Sequence, residues 1–169
     1  MTSDQGHDPG QDPDPIPSQV AGPAWAEERR TLGRTAARLA KQVELGLASV
    51  DLSLPQYRIL GMLDGNSAVS SDLAERLAVR PPTITAVVDG LVARGLVQRR
   101  TVENDRRQVD HVLTDHGCRL LDEADGAVNT RLCEIAGHLG DQADIDRAFD
   151  GLSMWRRALV ASRLARMAR

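Results

Sequence analysis

The stretch "DLAERLAVRPPTITAVVDGLVARGLVQRRTVENDRRQVDHVLTDHG", residues 72–117, decides the fold. It opens with a short amphipathic segment, breaks at Ala78-Val79 and restarts at Pro81-Pro82, where missing N–H groups cost a helix nothing. Gly95 ends the second segment. Two short helices joined by a brief turn form a helix-turn-helix pattern. Val97–Val102 and Arg107–Leu113 then read as β-permissive segments around the polar set Glu103-Asn104-Asp105-Arg106. The expectation is a two-stranded hairpin with Arg99-Arg100 and Arg106-Arg107 near its tip. Arginines that close repel one another, so a fold that keeps them together calls for a negative partner.

Working outward, "SLPQYRILGML" predicts a helix with Ser53 as N-cap, Gln56 completing a capping box and Pro55 in the first turn. Asp64-Gly65-Asn66 ends it. Ser70 or Ser71 is the expected N-cap of the next helix. Trp25, Leu32, Ala36, Leu39, Val43, Leu47 and Val50 recur at helical spacing, predicting a helix over about 25–50. Thr114 caps a helix that carries Leu120, Leu121, Ala124, Val128, Leu132 and Ile135 until "HLGD" interrupts it. A last helix from about Asp141 presents Ile145, Phe149, Leu152, Trp155, Leu159 and Met167 on one stripe. Residues 1–24 are acidic and rich in Pro and Gly, too poor in apolar groups to offset their ordering entropy, and read as a disordered arm.

The net charge of -3 looks wrong for a partner of nucleic acid. The arm, however, holds Asp4, Asp8, Asp12 and Asp14 with no Lys or Arg, which leaves residues 25–169 slightly positive. Within 80–107, Arg80, Arg94, Arg99, Arg100, Arg106 and Arg107 outweigh Asp89, Glu103 and Asp105. Lys41 is the chain's one lysine beside its many arginines, and Ala, Gly and Asp are abundant, as a GC-rich coding bias produces. The placement of the arginines therefore carries meaning, and their number does not. No apolar run is long enough to span a bilayer, and nothing resembles a signal peptide. Cys118 and Cys133 fall on one predicted helix roughly 22 Å apart, too far to bridge. A reduced, cytoplasmic location is expected, with inert buried thiols the plain reading of both cysteines.

The helix order and the residues "LPQYRIL", "DLAERLAVRPPTITAVVDGLVARGLVQRR" and "ENDRRQVDHVLTDHG" resemble the multiple-antibiotic-resistance regulator (MarR) family. The resemblance covers roughly 25–168 and is strongest across 54–117. It implies a mainly α fold with a small β-hairpin wing: a winged helix-turn-helix over about 54–115, with N- and C-terminal dimerisation helices over about 25–50 and 116–168. Similar proteins are homodimers that bind pseudo-palindromic double-stranded DNA, usually as repressors, and many release it when a small, often aromatic, effector binds. The implied DNA-facing residues are Ser71, Arg80, Pro82, Thr83, Thr85, Arg99, Arg106 and Arg107. In similar proteins the aspartate at position 89 pairs with the second hairpin arginine, here Arg107, which would neutralise Asp89 and enter the minor groove.

On a helical wheel, Ile84, Val87, Val88 and Leu91 share one side, while Pro82, Ala86, Asp89, Gly90 and Ala93 lie opposite with Thr83 and Thr85 on the flanks. Related sequences often carry arginine where Ala86 and Gly90 stand, so the centre of this helix lacks two strong contacts. A winged-helix adaptor that has lost DNA binding is the alternative. The implied effector pocket lies between the dimerisation helices and the DNA-binding lobe, with Tyr57 and Arg58 as its candidates. Tyr57 as a core residue with its hydroxyl satisfied is the plainer alternative. His116 and Cys118 diverge around a helix, which argues against a nucleophilic pair, and no CxxC, HxxxH or CxC spacing suggests a metal site. Neither enzymatic activity nor a cofactor is expected.

Overall fold

Local side-chain hydrogen bonds set the starts of two helices, and a long-range bridge sets that of a third. The computed structural model describes residues 26–102 and 105–167. The chain divides into two units, residues 1–38 and 39–169. The predicted arm, residues 1–24, lies outside the described residues. Helix α1 (Ala26–Ala48) crosses the division and is solvent-exposed from Thr31 to Arg38.

In the second unit, helix α2 (Leu54–Leu63) starts on the expected capping box. The Ser53 backbone N–H donates to Gln56 Oε1 at 2.9 Å, and the Gln56 N–H donates to Ser53 Oγ at 3.4 Å. Helix α3 (Ser70–Leu77) departs from expectation: its N-cap is Val69, with no side-chain cap. The cause is non-local. Ala68 and His111 exchange backbone hydrogen bonds of 3.2 and 2.9 Å, which holds the chain extended up to Val69. Ser70 and Ser71 are therefore already inside the first turn. His111 is buried, and its Nδ1 lies 3.1 Å from the Ala68 carbonyl. A carbonyl only accepts, so Nδ1 carries the proton.

Ala78 closes α3 in the left-handed region at φ 53°, a conformation that costs a non-glycine residue roughly 1–2 kcal/mol. Helix α4 (Pro81–Ala93) follows with both prolines in its first turn, and Gly95 leaves it at φ 68°. Strands β1 (Val97–Val102) and β2 (Asp105–Leu113) pair antiparallel from Val97 opposite Leu113 to Thr101 opposite Val109. A register shift beyond Thr101 sets Val102 opposite Asp105. Pairing thus resumes two residues earlier than predicted, which moves Arg106 out of the turn and onto β2.

Helix α5 (Asp115–Ala136) is capped by Thr114, whose hydroxyl donates to the Gly95 carbonyl at 2.7 Å and accepts from Gly117 N–H at 3.0 Å. That one side chain ties the exit of α4 to the start of α5. A 3₁₀ turn at Gly137–Leu139 leads to helix α6 (Gln142–Met167). The core gathers Leu47 of α1, Ile59, Leu60 and Leu63 of α2, Leu73 of α3, Ile84, Val88 and Leu91 of α4, and Leu121, Ala124 and Val128 of α5. Each of the leucine, isoleucine and valine side chains contributes about 1.5–3 kcal/mol by leaving water. On α1, Gln42 Oε1 accepts from Arg131 Nε at 3.0 Å and Nη2 at 2.8 Å, while Gly46 lies against the Val128 backbone. Cys118 and Cys133 both sit exposed on α5, against the expectation of burial. No described helix is long and apolar enough to cross a membrane.

Tyr57 bridges α2 and α5, its hydroxyl donating to Asp125 Oδ1 at 2.5 Å. Burial, then the bond to Asp125 and its charge, hold the phenol well above the ordinary tyrosine value of 10.0. The folded state prefers the protonated form, so this contribution is complete below pH 10 and declines as pH climbs towards the raised value. Tyr57 is the chain's single tyrosine, so ultraviolet titration of phenolate reads it directly. The native protein should ionise later than the urea-unfolded chain. Tyr57→Phe should lower stability by about 1 kcal/mol. Coincident titrations in the two states would remove the Asp125 bond from the account.

Candidate nucleic-acid interface

Helix α4 has a buried face and an open one. Ile84, Val88 and Leu91 are fully buried and Val87 partly so. Pro82, Thr83, Thr85, Ala86, Asp89 and Ala93 are exposed. The predicted division of the wheel is therefore the observed one. A Cβ added at Gly90 would meet nothing within 4 Å, so the small residue there is not demanded by packing. The outward surface is shallow and short of charge, and a groove wall can come close to the backbone.

The flanking candidates fall around this face. Arg80 is the exposed N-cap residue of α4, and Ser71 is exposed in the first turn of α3. The Thr85 hydroxyl turns back to the Pro81 carbonyl at 3.2 Å, while its methyl remains available. The side chains of Arg106 and Arg107 lie outside the described residues, and so does the expected Asp89–Arg107 pair. The structure supplies Asp89 with a partner that the sequence did not suggest: Arg99 of β1 donates to Asp89 Oδ1. Both side chains are about half exposed (49% and 53%), so the pair adds at most about 1 kcal/mol to stability. Its effect is local: it cancels a carboxylate on the open face of α4 and fastens the wing to that helix.

Arg94, counted among the local positive charges, is turned away. It donates to the Asp51 carbonyl at 2.8 Å and lies 3.6 Å from the Asp51 carboxylate. Arg100 is exposed on β1 opposite Asp110, which accepts the Ser67 hydroxyl at 2.8 Å. The cationic set near α4 is thus smaller than the sequence count. Of the two effector-pocket candidates, Tyr57 has its hydroxyl engaged by Asp125 and Arg58 is exposed. Among the described residues no group of three or more His, Cys, Asp or Glu side chains could hold a metal ion.

Comparison with known proteins follows the same outline. A sequence model of the MarR family matches residues 50–108. The uncharacterized HTH-type transcriptional regulator YfiV of Bacillus subtilis (strain 168) is 31% identical over 114 residues, spanning 65% of this chain and 69% of that protein. The crystal structure of wild-type MarR from E. coli superposes with a TM-score of 0.62 at 22% identity, covering 73% of this chain and 93% of the other. The transcriptional repressor CouR bound to a 23-mer DNA duplex superposes with a TM-score of 0.55 at 28% identity, covering 90% of this chain and 96% of the other.

Proposed function

Because the chain belongs to the MarR family of winged-helix transcriptional regulators, we propose that it is a DNA-binding regulator acting as a homodimeric repressor of a pseudo-palindromic operator. It is a regulator and not an enzyme. The observation that carries the proposal is the open face of α4, lined by small residues, with its one carboxylate neutralised by the wing. α4 enters the major groove, where Thr83 and Thr85 offer methyl groups to thymine and Arg80 meets a phosphate. The wing follows the backbone: Arg106 contacts phosphate and Arg107 enters the minor groove, taking the second oxygen of Asp89 on the way. Arg99, one of the DNA-facing residues that the resemblance implies, serves chiefly to silence Asp89.

CouR, 28% identical, was solved as a repressor on duplex DNA, which supports the mode of binding. The effector reading rests on family likeness, with Tyr57 and Arg58 as its candidates. A second reading, an adaptor without DNA affinity, draws on Ala86 and Gly90, which leave the centre of α4 without charge.

Fluorescence anisotropy of labelled operator at two salt concentrations tests the proposal. Arg106→Ala should weaken binding evenly across sequences and lower the salt slope by about 1 per subunit. Arg99→Ala and Arg107→Ala should each cost about 1–3 kcal/mol per half-site, because each exposes Asp89 to phosphate. Adding Asp89→Ala to either should recover part of the loss. Strict additivity would argue against the pairings. Unchanged affinity in all three arginine variants would bring the adaptor reading forward.

A further inference from the structure

Four charged side chains where α3 meets α6 have no part in the DNA-binding surface. Asp72, Glu75, Arg76 and Arg163 line a cavity of about 380 Å³, with Ala68 and Ala78 as its apolar lining. That volume lies within the roughly 300–1,000 Å³ of small-molecule sites. None of the four is in an ion pair among the described residues, although opposite charges share the cavity. Arg76 Nε is shielded from solvent and has no hydrogen-bond partner. A buried donor left unmet costs about 1–3 kcal/mol. Burial, and then the charge of Arg163, pull the Arg76 guanidinium below the usual arginine range, with Asp72 opposing.

We propose that this cavity binds a small aliphatic carboxylate that also carries an ammonium group, its carboxylate seated between Arg76 and Arg163 and its ammonium on Asp72 and Glu75. The guanidinium fork suits a carboxylate, and the bound anion gives the two arginines the counter-charge that no ion pair supplies them among the described residues. The lining is neutral as a whole, two cations against two anions, so it favours a zwitterion over a phosphate, which both carboxylates would repel. Among the described residues no aromatic ring lines the cavity, which leaves nothing there for an aromatic ligand to stack on. The site stands apart from Tyr57 and Arg58, and it does not depend on the DNA-binding proposal.

Isothermal titration of the full chain with 4-aminobutyrate, butyrate, butylamine and inorganic phosphate tests the site. 4-Aminobutyrate should bind saturably and more tightly than the other three. Arg76→Gln and Arg163→Gln should each weaken it by about tenfold or more, which is about 1.4 kcal/mol. Arg119→Gln, an equal loss of charge on an exposed face of α5, should leave it unchanged. Thermal melts accompany each variant; should Arg76→Gln fail to fold, Arg163→Gln, exposed on α6, decides. Absence of saturable binding, equal affinity for butyrate or phosphate, or binding indifferent to both substitutions would overturn the proposal.

Discussion

Gly117→Ala is expected to cost the fold about 3 kcal/mol or more. A Cβ at this position would stand 2.0 Å from the Leu96 carbonyl oxygen and 3.3 Å from Leu113 Cδ2. The first obstacle is backbone, so no side-chain rotation relieves it. Leu96 O also accepts the Thr114 N–H at 3.1 Å, and Thr114 caps α5. Pushing the two segments apart therefore loses a cap and a crossing hydrogen bond together, beyond the roughly 1–3 kcal/mol of ordinary overpacking. Gly126→Ala on the same helix is the control. A Cβ there meets nothing within 4 Å, and a helix-interior alanine should add about 0.5–1 kcal/mol. Urea melts followed by circular dichroism compare the two. A Gly117→Ala protein as stable as wild type would mean that α5 does not approach Leu96 this closely.

The second large effect concerns assembly. Trp155 and Leu159 are each 66% exposed on α6, and Leu152 is 40% exposed on the same helix. On α1, Leu32 is 50% exposed. A single chain leaves these stripes in water, and a two-fold interface would bury them. The wild-type chain should be a dimer in light scattering at micromolar concentration, and changing Trp155 and Leu159 together to aspartate should make it a monomer. DNA affinity should fall with it by about a hundredfold or more, since each half-site would then bind alone. Helical content should be kept, because neither side chain contributes to the core. A wild-type monomer, or a double variant that still dimerises, would remove α6 from the interface.

How far the sequence spoke depended on the range of the interaction involved. The Ser53–Gln56 capping box, the Thr114 cap and the prolines at the head of α4 act within one turn, and their spacing announces them. The two faces of α4 were equally legible, because helical periodicity places Ile84, Val88 and Leu91 together. Long-range contacts were not. The Ala68–His111 bridge joins residues 43 apart and displaced the expected cap of α3 onto Val69. Asp51 draws Arg94 away over the same separation. Tyr57 finds Asp125 across 68 residues, which no local pattern announces. Arg99 reached Asp89 because strand β1 leaves α4 beside its open face, a geometry that spacing alone does not encode.

Nuclease footprinting of the full chain on the DNA upstream of its own and neighbouring genes decides whether it recognises a specific operator. One protected, pseudo-palindromic segment is expected, with half-sites about one helical turn apart and protection that weakens steeply as salt rises. Protection should be lost in a protein carrying both Arg106→Ala and Arg107→Ala. A folded, dimeric protein that protects no segment at any salt concentration, or protects all sequences alike, would contradict that recognition.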